Sequence, residues 1–150
     1  MEVEFHSHLA EPLEHAVRLL RKALRAGSRV CVASPDWEAL SRQLWVFEAR
    51  EFVAHARPGV AAAVWRRSPL WLLPDFGHAV EGAARPGVWV NLGAPAPDAL
   101  DGCERLIELV AQQPGEVEAA RQRWRGYLAG GHQPVVRFDG RVAVPEPRHG

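Results

Sequence analysis

The chain has 150 residues, 47% of them hydrophobic and 24% charged, with a formal net charge of zero from 18 basic and 18 acidic residues. That length and balance fit one folded domain with a real core and exclude a disordered chain. They also argue against a protein that holds nucleic acid mainly through its phosphates, because such proteins are as a rule basic.

Glu2 to His6 alternates apolar and polar residues and reads as a first strand. Pro12 suits the first turn of a helix. Leu13, Ala16, Val17, Leu20 and Leu24 then recur at helical spacing up to Gly27, a helix terminator. Arg29 to Ala33 is a short apolar strand of the kind found inside a sheet covered on both faces. Pro35 and Asp36 open a second helix with Trp37, Leu40, Leu44 and Phe47 on one face. From Glu48 to Arg67 the periodicity fades, and His55 to Gly59 reads as loop. Leu70 to Leu73 is a third strand closed by Pro74, Gly77 to Gly87 has the composition of a connection, and Val88 to Leu92 is a fourth strand. A loop with Pro95 and Pro97 and a short helical turn near Asp98 leads to a fifth strand, Leu106 to Val110. Pro114 and Gly115 break the chain before a helix from about Glu116 to Ala129, stopped by Gly130 and Gly131. Val135 to Phe138 is a candidate edge strand.

Strands alternating with helices predict an α/β fold: a three-layer α/β/α sandwich around a mostly parallel five-stranded sheet in a single domain. Residues 1–138 are expected to form that domain, and residues 139–150, rich in Pro, Arg and Gly, a flexible tail. The acidic N-terminus lacks a signal-type apolar run, and no uncharged apolar stretch reaches membrane-spanning length, so a soluble cytoplasmic protein is expected. Of the two cysteines, Cys31 lies in an apolar strand and reads as a small buried hydrophobe rather than half of a disulfide.

Charge is spread unevenly. Residues 1–16 carry Glu2, Glu4, Glu11 and Glu14 and no Lys or Arg, whereas residues 119–150 carry six arginines against Asp139 and Glu146. An acidic partner is therefore steered to the C-terminal end.

The standard chemistries fail on residue type. A phosphate-binding Walker loop needs a lysine after its glycines, and the one lysine, Lys22, sits inside the first helix. A dinucleotide fingerprint needs glycines after the first strand, where the chain reads His6-Ser7-His8-Leu9-Ala10. No G-x-S-x-G elbow occurs. Ser34 and Asp36 follow the second strand, but Ser-Pro-Asp is an ordinary helix start. Cys103 beside Glu104 has no adjacent histidine to activate it. The His6-x-His8 pair, with both rings expected on the same side of the strand end, is the best metal candidate. It lacks a third ligand unless His15 folds back toward it, and solvated loop histidines are the preferred reading. Neither a cofactor nor a metal is called for. What remains of the rival class is a nucleotide-binding or hydrolytic α/β enzyme without standard motifs.

The aromatics divide. Trp37, Trp71 and Trp89 fit core positions. Trp45 lies off the stripe of its helix and is followed by Phe52; it either marks a partner surface or packs against the irregular 50–67 segment. In the last helix Val117, Ala120, Trp124 and Leu128 form an apolar stripe, Arg121 and Arg125 flank it, and Arg123 is expected to point away. Either Trp124 is simply core with a solvated arginine border, or an aromatic plane between two guanidiniums makes a shallow pocket for a ligand with a carboxylate and an apolar end. Such a patch binds and does not break bonds, since neither Arg nor Trp titrates near neutral pH.

Several segments, in order and spacing, resemble one family. Ala23-Leu24-Arg25-Ala26-Gly27-Ser28-Arg29-Val30 is the first; Leu40-Ser41-Arg42-Gln43-Leu44-Trp45 with Glu51-Phe52-Val53-Ala54-His55 is the second. Val88-Trp89-Val90-Asn91-Leu92, Leu106-Ile107-Glu108-Leu109-Val110 and Ala120-Arg121-Gln122-Arg123-Trp124-Arg125-Gly126-Tyr127 complete the pattern. Together they resemble the chi subunit of bacterial DNA polymerase III holoenzyme. The resemblance implies a non-catalytic accessory subunit of a DNA-directed DNA polymerase, in the clamp-loader complex at replication forks near the nucleoid. It implies that Val110, Arg121, Trp124 and Arg125 bind the acidic C-terminal tail of single-stranded-DNA-binding protein (SSB), which ends in Pro-Phe with a free carboxylate. It also implies that Trp45 and Phe52 lie on the surface that holds the psi subunit in a one-to-one pair, or an alternative helicase partner, with DNA reached only indirectly. The chain departs from the family's S-F-x-P-H segment at Glu51 and Ala54 and continues past Phe138 beyond the usual pattern.

Overall fold

A computed structural model describes residues 1–46 and 54–140. Six strands and four helices follow one another as β1 (Glu2–Leu9), α1 (Pro12–Arg25), β2 (Val30–Ala33), α2 (Trp37–Val46), α3 (Ala62–Arg67), β3 (Leu70–Leu73), β4 (Val88–Leu92), β5 (Arg105–Ala111), α4 (Pro114–Ala129) and β6 (Val135–Asp139). They build one sheet in the order β3-β2-β4-β5-β1-β6, with every pairing parallel. The sheet thus has six strands where five were expected: the candidate edge strand Val135 to Phe138 pairs with β1 over Glu4 to Ser7 and is a full member. Of the tail expected at 139–150, Asp139 instead ends β6, and residues 141–150 lie outside the described residues.

Two cores lie on the two faces of the sheet, which makes the three layers. Val17 and Leu20 of α1 and Leu40 and Leu44 of α2 pack on Val30, Val32, Leu70, Leu72, Val90 and Ile107. Trp65 of α3 and Ala120 and Tyr127 of α4 pack on Val3, Phe5, Cys31, Trp71, Trp89 and Leu106 on the opposite face. Burial on both sides is why β2 and β3 read as unbroken apolar runs. Cys31 and Cys103 are both buried and unbridged, and burial pushes their thiols up to about 12 and about 11, which keeps them protonated.

Local signals placed most boundaries. Pro12 sits in the first turn of α1, and Gly27, at φ 87°, closes it with the Ser28 N–H donating to the Ala23 carbonyl at 3.0 Å. Pro114, expected to break the chain, is instead the first residue of α4, where its missing N–H costs nothing. No helical turn forms near Asp98; the turn comes at Asp101 and Gly102. Helix α3 carried no readable signal, because its N-cap residue Ala61 offers no side-chain cap and it is one and a half turns long. It is held by tertiary contact: the Trp65 and Trp71 rings meet edge to face at 5.0 Å, and the Trp71 indole N–H donates to the Trp65 carbonyl at 2.8 Å.

β1 runs three residues further than its alternation implied, and it is not regular. Val3 and Phe5 face the α4 side, whereas Leu9 belongs to the opposite core. Strict alternation would put all three on one side. The register with β5 shifts between His6 and Leu9, and within that shift His8 adopts φ 57°, the one positive φ outside glycine among the described residues. The irregularity reverses the phase of the strand end.

Candidate functional site

That irregularity separates the two histidines expected to share a side. His6 is buried on the α1 side, its Nε2 2.9 Å from Glu4 Oε2 and its Nδ1 2.8 Å from His15 Nε2. His15 does fold back, but the three groups form a chain with His6 in the middle rather than converging on one point. Arg105 donates to Glu4 at 2.8 and 3.1 Å, and Phe138 of β6 stacks on the His15 ring at 5.1 Å. Among the described residues no three His, Cys, Asp or Glu side chains group to hold a metal ion.

The chain of groups carries a pH signature. Burial, and then the charges of His6 and Arg18, lower His15 from 6.5 to about 4. Below about pH 6.5 the unfolded chain takes up a proton that the folded chain refuses until about pH 4. Stability is therefore lost as pH falls through that window and restored as it rises, by on the order of 1 kcal/mol once solvent screening is allowed for. Burial raises the Glu4 carboxyl, but hydrogen bonds from His6 and Arg105 outweigh it and hold it below 4.5, so its contribution is lost only at still lower pH. Urea unfolding at several pH values should show the slope between those limits in the native chain and a flatter one in His15→Gln; equal slopes would remove His15 as its source.

On the other face, α4 lies against the end of the sheet and the sequence-predicted residues come together. Val110 at the end of β5 and Arg121 and Trp124 on α4 line one slot of about 150 Å³. Phe5, Ser7 and His8 of β1 and Val136 of β6 form its β wall, and Val117 and Ala120 its helix wall. The Phe5 and Trp124 rings meet at 4.9 Å with a 56° tilt, which fixes the tryptophan as a half-buried wall rather than a fully enclosed core residue. Arg121 stands at the rim, exposed, 3.6 Å from Glu118 one turn back, a pairing weak enough for an incoming carboxylate to replace. Arg125 is exposed on the same helix and is not among the residues that line the slot.

Arg123 does the opposite of what the helical wheel implied. It turns inward, its side chain only 10% exposed, and its Nε donates to Glu108 Oε1 at 2.8 Å. Glu108, on β5, is fully buried and also accepts from the Tyr127 hydroxyl and, at 3.2 Å, from the Asn91 amide. Burial pushes the Glu108 carboxyl above its ordinary range, against the pull of Arg123 and the other donors. The helix is consequently rotated toward its Arg123–Tyr127 side: Tyr127 is buried, while Leu128, assigned to the stripe, is 50% exposed. Sequence reasoning missed Phe5, His8 and Val136 in the slot. Only the alternation of Val3 and Phe5 hinted at the first, and nothing local announced the others.

Trp45 projects from the end of α2, 57% exposed. Phe52 lies outside the described residues, as does Phe47. A separate cleft of about 400 Å³ sits over the ends of β4 and β5, where α/β proteins commonly bind nucleotides. Its described lining includes Asp36 and Glu116 and no Lys or Arg, an unfavourable setting for a polyphosphate. Among the described residues no helix is long and apolar enough to cross a membrane.

Comparison with known proteins agrees with the family resemblance carried by these segments. The chain is 28% identical over 123 residues to DNA polymerase III subunit chi of Pseudomonas aeruginosa, covering 80% of this chain and 81% of that protein. The family model for the DNA polymerase III chi subunit, HolC, matches residues 1–135. A match over that span shows that the chain belongs to the chi-subunit family of DNA polymerase III, an accessory subunit of the replicative polymerase.

Proposed function

We propose that this protein is a non-catalytic adaptor of the polymerase that captures the acidic C-terminal tail of SSB in the α4 slot and pairs with psi through the surface marked by Trp45 and Phe52. The observation that carries the reading is the slot itself: apolar walls from Val110, Phe5 and Trp124 with a guanidinium, Arg121, at the rim. At about 150 Å³ it is smaller than the roughly 300–1,000 Å³ of small-molecule sites and suits one side chain of a peptide. A terminal phenylalanine enters, Arg121 takes the terminal carboxylate, and Arg125, further along the helix, meets acidic residues upstream. The exposed Trp45 supports the second surface, since a large aromatic left outside the core favours a partner.

Calorimetric titration with an acidic peptide ending in Pro-Phe tests the first part. Binding is expected in the micromolar range, about −7 to −8 kcal/mol, weakening with added salt. Arg121→Ala should weaken it about tenfold, and amidating the peptide's C-terminus should weaken it comparably, each removing one side of a charge-assisted contact. Unchanged affinity in both Arg121→Ala and Arg125→Ala would overturn the assignment.

A further inference from the structure

The slot has two walls, and only the helix wall carries a cation assigned to ligand binding. On the β wall stands His8, at the irregularity that ends β1. Its φ of 57° belongs to a region that non-glycine residues enter at a cost, and such strain persists where surrounding structure enforces it. The enforcement is visible. The Gly140 N–H donates to the Ser7 carbonyl at 2.6 Å, and Gly140 passes so close to the His8 carbonyl that no side chain fits there. Gly140, just past the end of β6, thus clamps the backbone that turns His8 away from His6 and toward the slot.

The imidazole is oriented as well as placed. Its Nδ1 lies 3.2 Å from Ser7 Oγ and 3.5 Å from Asp139 Oδ1. A carboxylate on that side favours the proton on Nδ1, so a neutral His8 presents Nε2 as an acceptor, which a carboxylate ligand cannot use. A second proton turns Nε2 into a donor and offsets the Asp139 charge. Among the described residues the charged groups around the slot are then Asp139 from β6, Arg121 from α4 and Glu118 paired with Arg121. Among the described residues Nε2 of His8 has no hydrogen-bond partner.

We propose that His8 is a second anion-reading residue of this slot, engaging the ligand's carboxylate from the β wall opposite Arg121 in its protonated form, with Asp139 as its positioning residue. This rests on the slot's being a peptide-carboxylate site. Binding then takes up a proton, and affinity rises as the imidazole gains its second proton. The peptide's own carboxyls stay ionised at about pH 6 and above.

The experiment is calorimetry with the acidic Pro-Phe peptide at about pH 6 and about pH 8, in buffers of different ionisation enthalpy. The native chain should bind about fivefold to tenfold more tightly at the lower pH and take up a fraction of a proton. His8→Asn is the informative variant, because asparagine tolerates a positive φ while removing the titrating group. It should bind at both pH values about as the native chain does at the higher one. Arg121→Ala should bind more weakly throughout yet keep the pH dependence. Equal native affinity at both pH values with no proton uptake, or a pH dependence that survives in His8→Asn, would overturn the role of His8 and leave the slot's ligand standing. No binding at either pH would overturn both.

Discussion

Arg123→Ala is expected to destabilise the fold by about 3–5 kcal/mol, the largest effect of any single substitution in α4. The cost comes from what is left behind. Glu108 has no exposure, and Arg123 Nε at 2.8 Å is its one cationic partner among the described residues. Truncation leaves a carboxylate that must either stay charged in the core or take up a proton and donate it to a neighbour. Tyr127 and Asn91 both donate to Oε2, so the proton would sit on Oε1, where Arg123 had donated, and would need a new acceptor there. Arg121→Ala, two residues away and exposed, should cost less than about 0.5 kcal/mol. Denaturant unfolding at neutral pH measures both. A cost for Arg123→Ala as small as that for Arg121→Ala would mean that the buried pair contributes no stability. Replacing Arg123 and Glu108 together by apolar residues of similar size should recover much of the loss, since the penalty belongs to the orphaned charge.

Trp124→Ala should abolish most tail binding, by about 2–4 kcal/mol, or at least thirtyfold in affinity. Trp124 is half-buried, so its removal opens the slot between Phe5 and Val117 without emptying the centre of the core. The fold should therefore survive, and intact circular dichroism and a cooperative melt provide the check. The kinetic signature should differ from that of Arg121→Ala. Losing the apolar wall speeds dissociation, whereas losing the rim cation slows association and reduces its salt dependence. Trp124→Phe, which keeps an aromatic wall, should retain most of the affinity. A folded Trp124→Ala that binds the peptide like the native chain would exclude the slot as the binding site.

Much of this architecture was readable in the chain, and the failures share a cause. Strands β2 to β5 announced themselves because each is a short apolar run between turn residues, and both long helices carried periodic stripes and terminal prolines or glycines. The phase of α4 was misjudged because Glu108, within Leu-Ile-Glu-Leu-Val, gives no local sign that it is buried and recruits Arg123 and Tyr127. His8 was placed with His6 because alternation was extended through a bulge that sequence does not mark. Of the slot, Arg121 and Trp124 were legible as helix neighbours and Val110 through family resemblance. Phe5 and Val136 were not, because parallel pairing brings together residues on which no local pattern depends. Phe52 stays a sequence assignment alone.

The position of β1 between β5 and β6 has a consequence for synthesis. The first strand waits for partners made late. Its two neighbours come from residues 105–111 and 135–139, so nothing in a growing chain shorter than that can hold β1 in the sheet. The other strands, β2, β3 and β4, meet one another early, through shorter loops. The slot draws lining from both β1 and β6, so it is incomplete in any growing chain that lacks β6. A partner that recognises the slot therefore selects chains in which β6 has joined β1 over shorter ones.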